Sequence, residues 1–364
     1  MSIPPTPELP DPLAGAGRDA WENRIRPALL AIYRQTMYGP VSRPVEVQAA
    51  IRARHAAAFD TRSARFEIAL RTGTAGMPQE IAVSLYLPPP TRRPPPLFFG
   101  PNYAGNASVD PDPAIPLDVG WMRPEPDWGV VANRATDATR GVHAGRWPLA
   151  TILARGYAVA TWHDGSFCTD DPELSRPVRA AGFGGAIAAW AWAFSRVLDG
   201  LADLELIDPT RAAAIGHSRH GKAALWAGAC DPRIALVVAN NSGAGGAKLF
   251  RHASGETIAD LFERFPHWFA EPLRAFAGRE GELPFDQHLL IGLCAPRAVY
   301  VASAREDSWA GPVGEHQATQ AAAPIYELYG PGTPLPGYHL RDGGHGVTAY
   351  DWDRFLDFAD RVLR

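Results

Sequence analysis

A serine between glycines and basic residues is the clearest chemical signal in this 364-residue chain. An apolar run, Ala212 to Ile215, predicts a buried strand, and an Ala-rich run from Gly221 to Ala229 predicts a helix. The sharp turn between them carries Ser218. A strand, a tight turn and a helix in this order form a nucleophile elbow, which holds a serine hydroxyl beside N–H groups that can stabilise an oxyanion. The predicted chemistry is therefore nucleophilic attack on an acyl group.

A serine hydroxyl needs a base to take its proton, and in α/β-hydrolases the chain order is Ser, acid, His. The late histidines are His316, His339 and His345. His316 falls in a predicted helix and His339 inside a predicted strand. His345 follows that strand in a glycine-rich loop, so we predict that His345 is the base.

The acid that orients this base has two candidate positions. The first follows the strand after the elbow, where Asn241 stands and no residue carries a charge. The second is the loop after a later strand, with Glu306 and Asp307, where ordinary α/β-hydrolases place their acid. The residues alone leave both Asp307 and Glu306 as candidate acids in this loop.

The elements that must hold these residues alternate along the chain. Predicted strands lie at 97–99, 157–161, 212–215, 234–238, 298–303 and 337–340, and predicted helices at 147–155, 182–204, 221–229, 286–293 and 351–363. Alternating segments at 65–70 and 81–87 predict an antiparallel hairpin at the edge of the sheet. This order predicts an α/β fold in which helices cover both faces of a mostly parallel sheet, as a three-layer sandwich.

The domain organisation is predicted from composition. Residues 1–16 are proline-rich and are expected to form a loose arm. Residues 17–364 are expected to form one α/β-hydrolase domain. Two long stretches of weak periodicity, near 107–144 and 243–285, predict insertions into that domain.

Composition also limits the partners. A net charge of −4 offers no basic surface for nucleic acid or for an anionic membrane. The widely spaced Cys168, Cys230 and Cys294 indicate neither a zinc site nor a disulfide framework. We expect a monomer with no metal and no cofactor. The first 20 residues lack the pattern of a signal peptide, which predicts a cytoplasmic protein, or a secreted or periplasmic one if a leader has been removed.

Lysine is rare in this chain. Only Lys222 and Lys248 are lysines among the 35 basic residues. Because arginine serves wherever a generic cation is needed, we interpret Lys222, four residues after Ser218, as a position that requires a compact ammonium with three donors.

The elbow, together with several other segments, resembles the glucuronoyl esterases, an α/β-hydrolase family that cleaves esters of 4-O-methyl-glucuronic acid. The elbow of that family has the form G-x-S-R-x-G-K, which residues 216–222 match. Further similar segments, from about residue 95 onward, are 102–106, 146–148, 155–161, 265–269, 286–290, 295–297 and 351–352. Many relatives carry a glutamate near position 241, where this chain has asparagine.

The resemblance implies roles for individual residues. The Arg219 guanidinium would face the oxyanion, Lys222 would contact sugar hydroxyls and Trp309 would line the sugar site. An acid two residues before a tryptophan occurs in some members, which implies Asp307 as the acid, with Glu306 as the alternative. The expected function is hydrolysis of glucuronate esters of lignin–carbohydrate type by a Ser218–His345–Asp307 triad. The alternatives are a carbohydrate O-acetyl esterase of the acetyl xylan esterase type and a non-catalytic carbohydrate-binding protein.

Overall fold

A single large sheet organises the chain. The computed structural model describes residues 5–40, 45–56, 63–74 and 77–364. Within these residues the strands of the main sheet, numbered along the chain, are β1 (Gln48–Ala56), β2 (Ala64–Thr74), β3 (Met77–Leu87), β4 (Leu97–Asn102), β5 (Ala158–His163), β6 (Ala212–His217), β7 (Ile234–Asn240), β8 (Ala298–Ala304) and β9 (Gly337–Arg341). Their order is β1-β2-β3-β5-β4-β6-β7-β8-β9.

Helices lie on both faces of this sheet. The α-helices of five residues or more are α1 (Arg26–Tyr33), α2 (Leu149–Ala154), α3 (Arg176–Ala180), α4 (Ala186–Asp203), α5 (Arg219–Cys230), α6 (Ile258–Arg264), α7 (Gln287–Gly292), α8 (Pro312–Ala321), α9 (Ala323–Glu327) and α10 (Ala349–Val362). Neighbouring strands from β5 to β9 run parallel, and β1, β2 and β3 pair antiparallel. The predicted mostly parallel, doubly covered α/β sheet is confirmed.

The apolar strands alternate between two cores, as the two-residue period of a strand requires. Ala212 and Ala214 of β6 face a core shared with α4 and α5. Ala213 and Ile215 face a second core shared with α2 and α10. Because both faces are covered, a continuous apolar run is stable in the central strands.

The predicted hairpin forms, but its placement at the edge of the sheet is wrong. β2 and β3 pair antiparallel over 11 residue pairs, from Ala64↔Leu87 to Thr74↔Met77. β1 adds outside β2 and takes the edge. Its sequence is rich in alanine and arginine, which favour helix over strand, and most of its side chains are at least partly exposed. Pairing with β2 overrides that local preference.

The functional candidates meet at one edge of the sheet. The carboxyl ends of four adjacent parallel strands, β6 to β9, lie side by side. Ser218 follows β6, Asn241 follows β7, Asp307 lies shortly after β8 and His345 shortly after β9. Among the residues that the structure describes, no helix combines the length and apolarity needed to span a bilayer.

The elbow helix α5 packs against β7 at a distance that excludes a side chain. A Cβ on Gly228 would lie 2.2 Å from Cγ2 of Val237. We expect Gly228→Ala to lower the free energy of unfolding by about 1–3 kcal/mol, because overpacking outweighs the better helix propensity of alanine. Urea unfolding measures this change. The control is Gly281→Ala, where a Cβ meets no atom within 4 Å, and equal stability of the two variants would contradict the close packing.

Candidate active site

Ser218 occupies the turn between β6 and α5 in a strained conformation. Its φ is 56° and its ψ is −127°, a region that costs a non-glycine residue roughly 1–3 kcal/mol. The turn is tight, since a Cβ on Gly216 would lie 2.1 Å from the carbonyl oxygen of His220. Ser218 is also the N-cap residue of α5. The serine is thus held at the positive end of a helix, next to N–H groups that have no partner inside it.

His345 lies beside the elbow and is held by a carboxylate. The His345 and His217 rings have centroids 4.4 Å apart, and His217 precedes Ser218. Nδ1 of His345 is 2.6 Å from Oδ2 of Asp307. Because a carboxylate accepts hydrogen bonds, Nδ1 carries the proton and Nε2 is left as the basic nitrogen. The side chain of His345 is 40% exposed, so Nε2 can exchange a proton with a ligand.

The Asp307 carboxylate is buried but well satisfied. Its side chain is 3% exposed. Burial by itself would raise the pKa of Asp307, yet hydrogen bonds from His345, the Ala310 backbone N–H and the Asn241 amide lower that pKa below its ordinary value. Asp307 therefore remains ionised at neutral pH and can orient an imidazole.

Arg219 follows the serine, and its guanidinium is held by two carboxylates. Nε and Nη2 donate to Oδ2 of Asp164 at 3.1 and 2.8 Å, and Nη1 lies 3.6 Å from Oδ2 of Asp170. The guanidinium also stacks 4.5 Å from the centroid of the Tyr103 ring. Burial would lower the pKa of Arg219, but Asp170 and Asp164 raise it. The result is a rigid, permanently charged group beside the elbow.

Lys222 is buried one turn beyond the serine. Its ammonium donates to the carbonyls of Ser242 and Ala244 at 2.8 and 2.6 Å and to Oε2 of Glu256 at 2.8 Å. The Lys222 and Glu256 side chains are each 3% exposed. All three donors of the ammonium therefore have protein acceptors, so contact with a sugar hydroxyl would require one of them to be shared.

Trp309 and Glu306 lie in the loop after β8, which also carries Asp307. Trp309 is half-buried, with the Arg264 guanidinium 4.3 Å from its ring centroid. Its carbonyl accepts a hydrogen bond from the Glu256 N–H at 2.8 Å, which links Trp309 to the partner of Lys222. Glu306 is exposed, and the carboxylate that contacts His345 belongs to Asp307.

Comparison with known proteins places the chain in a family. Residues 180–330 match the family model described as "Glucuronyl esterase, fungi". Carbohydrate esterase MZ0003, from an unknown prokaryotic organism, is 36% identical over 98% of this chain and 89% of its own length. The chain belongs to the glucuronoyl esterase family.

Two solved structures of family members superpose on nearly the whole chain. A promiscuous esterase of carbohydrate esterase family 15, from a marine bacterial metagenome, has a TM-score of 0.91 and 35% identity over 99% of this chain and 98% of its own. A glucuronoyl esterase from Solibacter usitatus has a TM-score of 0.89 and 34% identity over 99% of both chains. The protein is therefore a carboxylic ester hydrolase. The alternative of a non-catalytic carbohydrate-binding protein is set aside.

Several residues of this esterase's site were not predicted from the sequence. Asp164 follows β5 and binds both Arg219 and Nε2 of His220, the latter at 2.8 Å. Glu256 neutralises Lys222 from 34 residues away. The position of Asp164 at the carboxyl end of a parallel strand was a usable signal, whereas nothing local distinguishes Glu256 from a surface glutamate.

Replacing Lys222 distinguishes a structural role of the buried Lys222–Glu256 pair of the esterase from a role of Lys222 in substrate binding. We expect Lys222→Met to lower the free energy of unfolding by about 3–5 kcal/mol, because it leaves the Glu256 carboxylate buried and unpaired. The control is Arg176→Met, whose ion pair with Glu173 is exposed and should contribute little. Thermal and urea unfolding test this. A variant of normal stability with only a raised KM would instead assign Lys222 to substrate binding.

Proposed function

We propose that Ser218, His345 and Asp307 form the catalytic triad of this esterase and that 4-O-methyl-glucuronate esters of lignin–carbohydrate type are its substrates. The observation that carries the proposal is the 2.6 Å contact between His345 Nδ1 and Asp307 Oδ2, at the sheet edge that also carries the strained Ser218. Strain held at a partly exposed serine, beside an oriented imidazole, is the arrangement that acyl transfer needs.

The reaction follows from these positions. Nε2 of His345 takes the proton of the Ser218 hydroxyl as the oxygen attacks the ester carbonyl. The tetrahedral intermediate collapses, and His345 returns the proton to the departing alcohol. Water, deprotonated by the same nitrogen, then releases the glucuronate and restores the serine. Asp307 stabilises the imidazolium that forms in each half of this sequence.

Arg219 supplies charge where the oxyanion develops. The first N–H groups of α5 lack partners inside the helix, and the Arg219 guanidinium adds a permanent positive charge nearby. Asp164 and Asp170 hold that guanidinium by its Nε and both Nη groups. A preorganised donor loses little free energy to reorganisation as the transition state forms.

Trp309 and the Lys222–Glu256 pair are assigned to the uronate side of the site. A half-buried indole offers an apolar face for a sugar ring, and Glu256 is tied to Trp309 through its backbone N–H. A contact between Lys222 and a sugar hydroxyl remains a prediction. In the described geometry the Lys222 ammonium donates to the carbonyls of Ser242 and Ala244 and to the Glu256 carboxylate.

A sugar O-acetyl esterase is the second candidate, in which the sugar is the leaving alcohol instead of the acyl group. It is favoured by one observation, that a solved relative of 35% identity is described as promiscuous. The same triad would serve both reactions, because only the side of the ester that carries the sugar changes.

Hydrolysis of benzyl glucuronate, measured beside 4-nitrophenyl acetate and acetylated xylan, tests the substrate. We expect benzyl glucuronate to have the highest kcat/KM, and Ser218→Ala to lower its kcat by roughly 10⁴- to 10⁶-fold because the nucleophile is lost. Faster turnover of acetylated xylan would transfer the assignment to the acetyl esterase. Activity that survives in Ser218→Ala would refute the triad.

The identity of the acid is tested by neighbouring substitutions. Asp307→Ala should lower kcat on benzyl glucuronate by roughly 10³- to 10⁴-fold, because the imidazole loses both its orientation and its counter-charge. Glu306→Ala, at the exposed adjacent position, is the matched control and should leave kcat within about twofold of wild type. The reverse pattern would assign the acid to Glu306.

A further inference from the structure

Asn241 has an unusual combination of properties for a residue outside the triad. It directly follows β7 and adopts a φ of 46°, in the left-handed region. It is 1% exposed, and its side-chain Oδ1 makes no hydrogen bond with the part of the protein that the structure describes. Burial of an incompletely satisfied amide on a strained backbone is unfavourable for folding. This unfavourable contribution to folding indicates a function for Asn241, and the contact made by its Nδ2 atom supplies one.

The amide nitrogen of Asn241 contacts the proposed catalytic acid. Nδ2 donates to Oδ2 of Asp307 at 2.7 Å, the same oxygen that accepts from Nδ1 of His345 at 2.6 Å. An ionised carboxylate only accepts hydrogen bonds, so the NH₂ group must face Asp307 and the amide orientation is determined. Asn241 and His345 therefore approach one carboxylate oxygen with two N–H donors.

Hydrogen bonds hold the backbone of Asn241 and of the two residues after it. The Asn241 backbone N–H donates to the Ala302 carbonyl at 2.7 Å. The next two residues, Ser242 and Gly243, each donate to Oε1 of Glu315 at 3.0 Å. The backbone that carries the amide is therefore fixed, so Nδ2 can move only by rotation about the side-chain bonds of Asn241.

We infer that Asn241 is a positioning residue that fixes Oδ2 of Asp307 in line with Nδ1 of His345. This inference rests on the proposed triad. Without the amide, the described residues leave Asp307 one donor besides His345, the Ala310 N–H at 3.2 Å from Oδ1. That bond is made to the other oxygen and does not fix the direction of Oδ2. The Asn241 donor thus sets the angle at which the acid holds the base.

The test compares Asn241→Gly with a matched control. Glycine tolerates the left-handed backbone, so the variant removes the side chain without straining the backbone. Asn133→Gly makes the same change at φ 63°, where the amide donates to the Met122 carbonyl. We expect Asn241→Gly to lower kcat on benzyl glucuronate by roughly 10- to 100-fold, as for a lost hydrogen bond to a charged group. KM and the thermal midpoint should stay close to those of Asn133→Gly.

A spectroscopic measurement separates positioning from packing. The Nδ1 proton of His345 should give a downfield proton resonance in wild type, and Asn241→Gly should shift or broaden it while backbone amide signals elsewhere are unchanged. A loss of activity that matches a loss of folded protein, with the His345 resonance unmoved, would overturn the inference.

Two more variants complete the design. Asn241→Asp keeps the size and the tolerance for left-handed backbone but places a second carboxylate 2.7 Å from the first, and it should reduce kcat more than glycine does. Wild-type activity in Asn241→Asp would show that the amide donor is not needed. Asp307→Ala, measured in parallel, separates the two hypotheses. If Asp307→Ala is inactive and Asn241→Gly is normal, only the inference about Asn241 fails, whereas a fully active Asp307→Ala would refute the triad itself.

Discussion

The turn from β6 into α5 is the constraint on which the rest of the site depends. The backbone of Gly216 passes so close to His220 that no side chain fits, and Ser218 is held at a φ of 56°. Such strain persists only where the surroundings hold it in place. Here α5 packs against β7 through Gly228, and a Cβ on Gly221 would lie 2.9 Å from the Cβ of Ser242. The elbow therefore also fixes the backbone that follows β7.

Around this turn, each buried charged side chain contacts a partner that compensates its charge. Asp164 and Asp170 flank Arg219, and Asp170 also accepts from the His267 and Trp268 side chains at 2.9 and 2.7 Å. Burying an unpaired charge costs several kcal/mol. Each of these charged groups must therefore stay in contact with its partner. The same restriction that stabilises the fold gives the site a fixed electrostatic geometry before substrate binds.

The two lysines illustrate how such pairing selects a residue type. Lys222 and Lys248 are 3% and 1% exposed, and both contact Glu256, Lys222 through the carboxylate and Lys248 through the carbonyl at 3.0 Å. A compact ammonium directs three donors at acceptors that surround it, which a planar guanidinium cannot do. This geometry agrees with the interpretation of Lys222 as a position that needs a compact cation.

The sequence by itself determined the fold class and the strand–turn–helix elbow, because these are local patterns of period, turn and spacing. Several features were decided only by the tertiary structure. β1 becomes the edge strand through pairing with β2, against its local preference. Asp307 instead of Glu306 turns inward to His345, 38 residues away, and Asn241 reaches Asp307 across 66 residues. Adjacent residues in a loop point in different directions, and a donor from a neighbouring strand leaves no local pattern, so these contacts exist only once the parallel strands bring their carboxyl ends together.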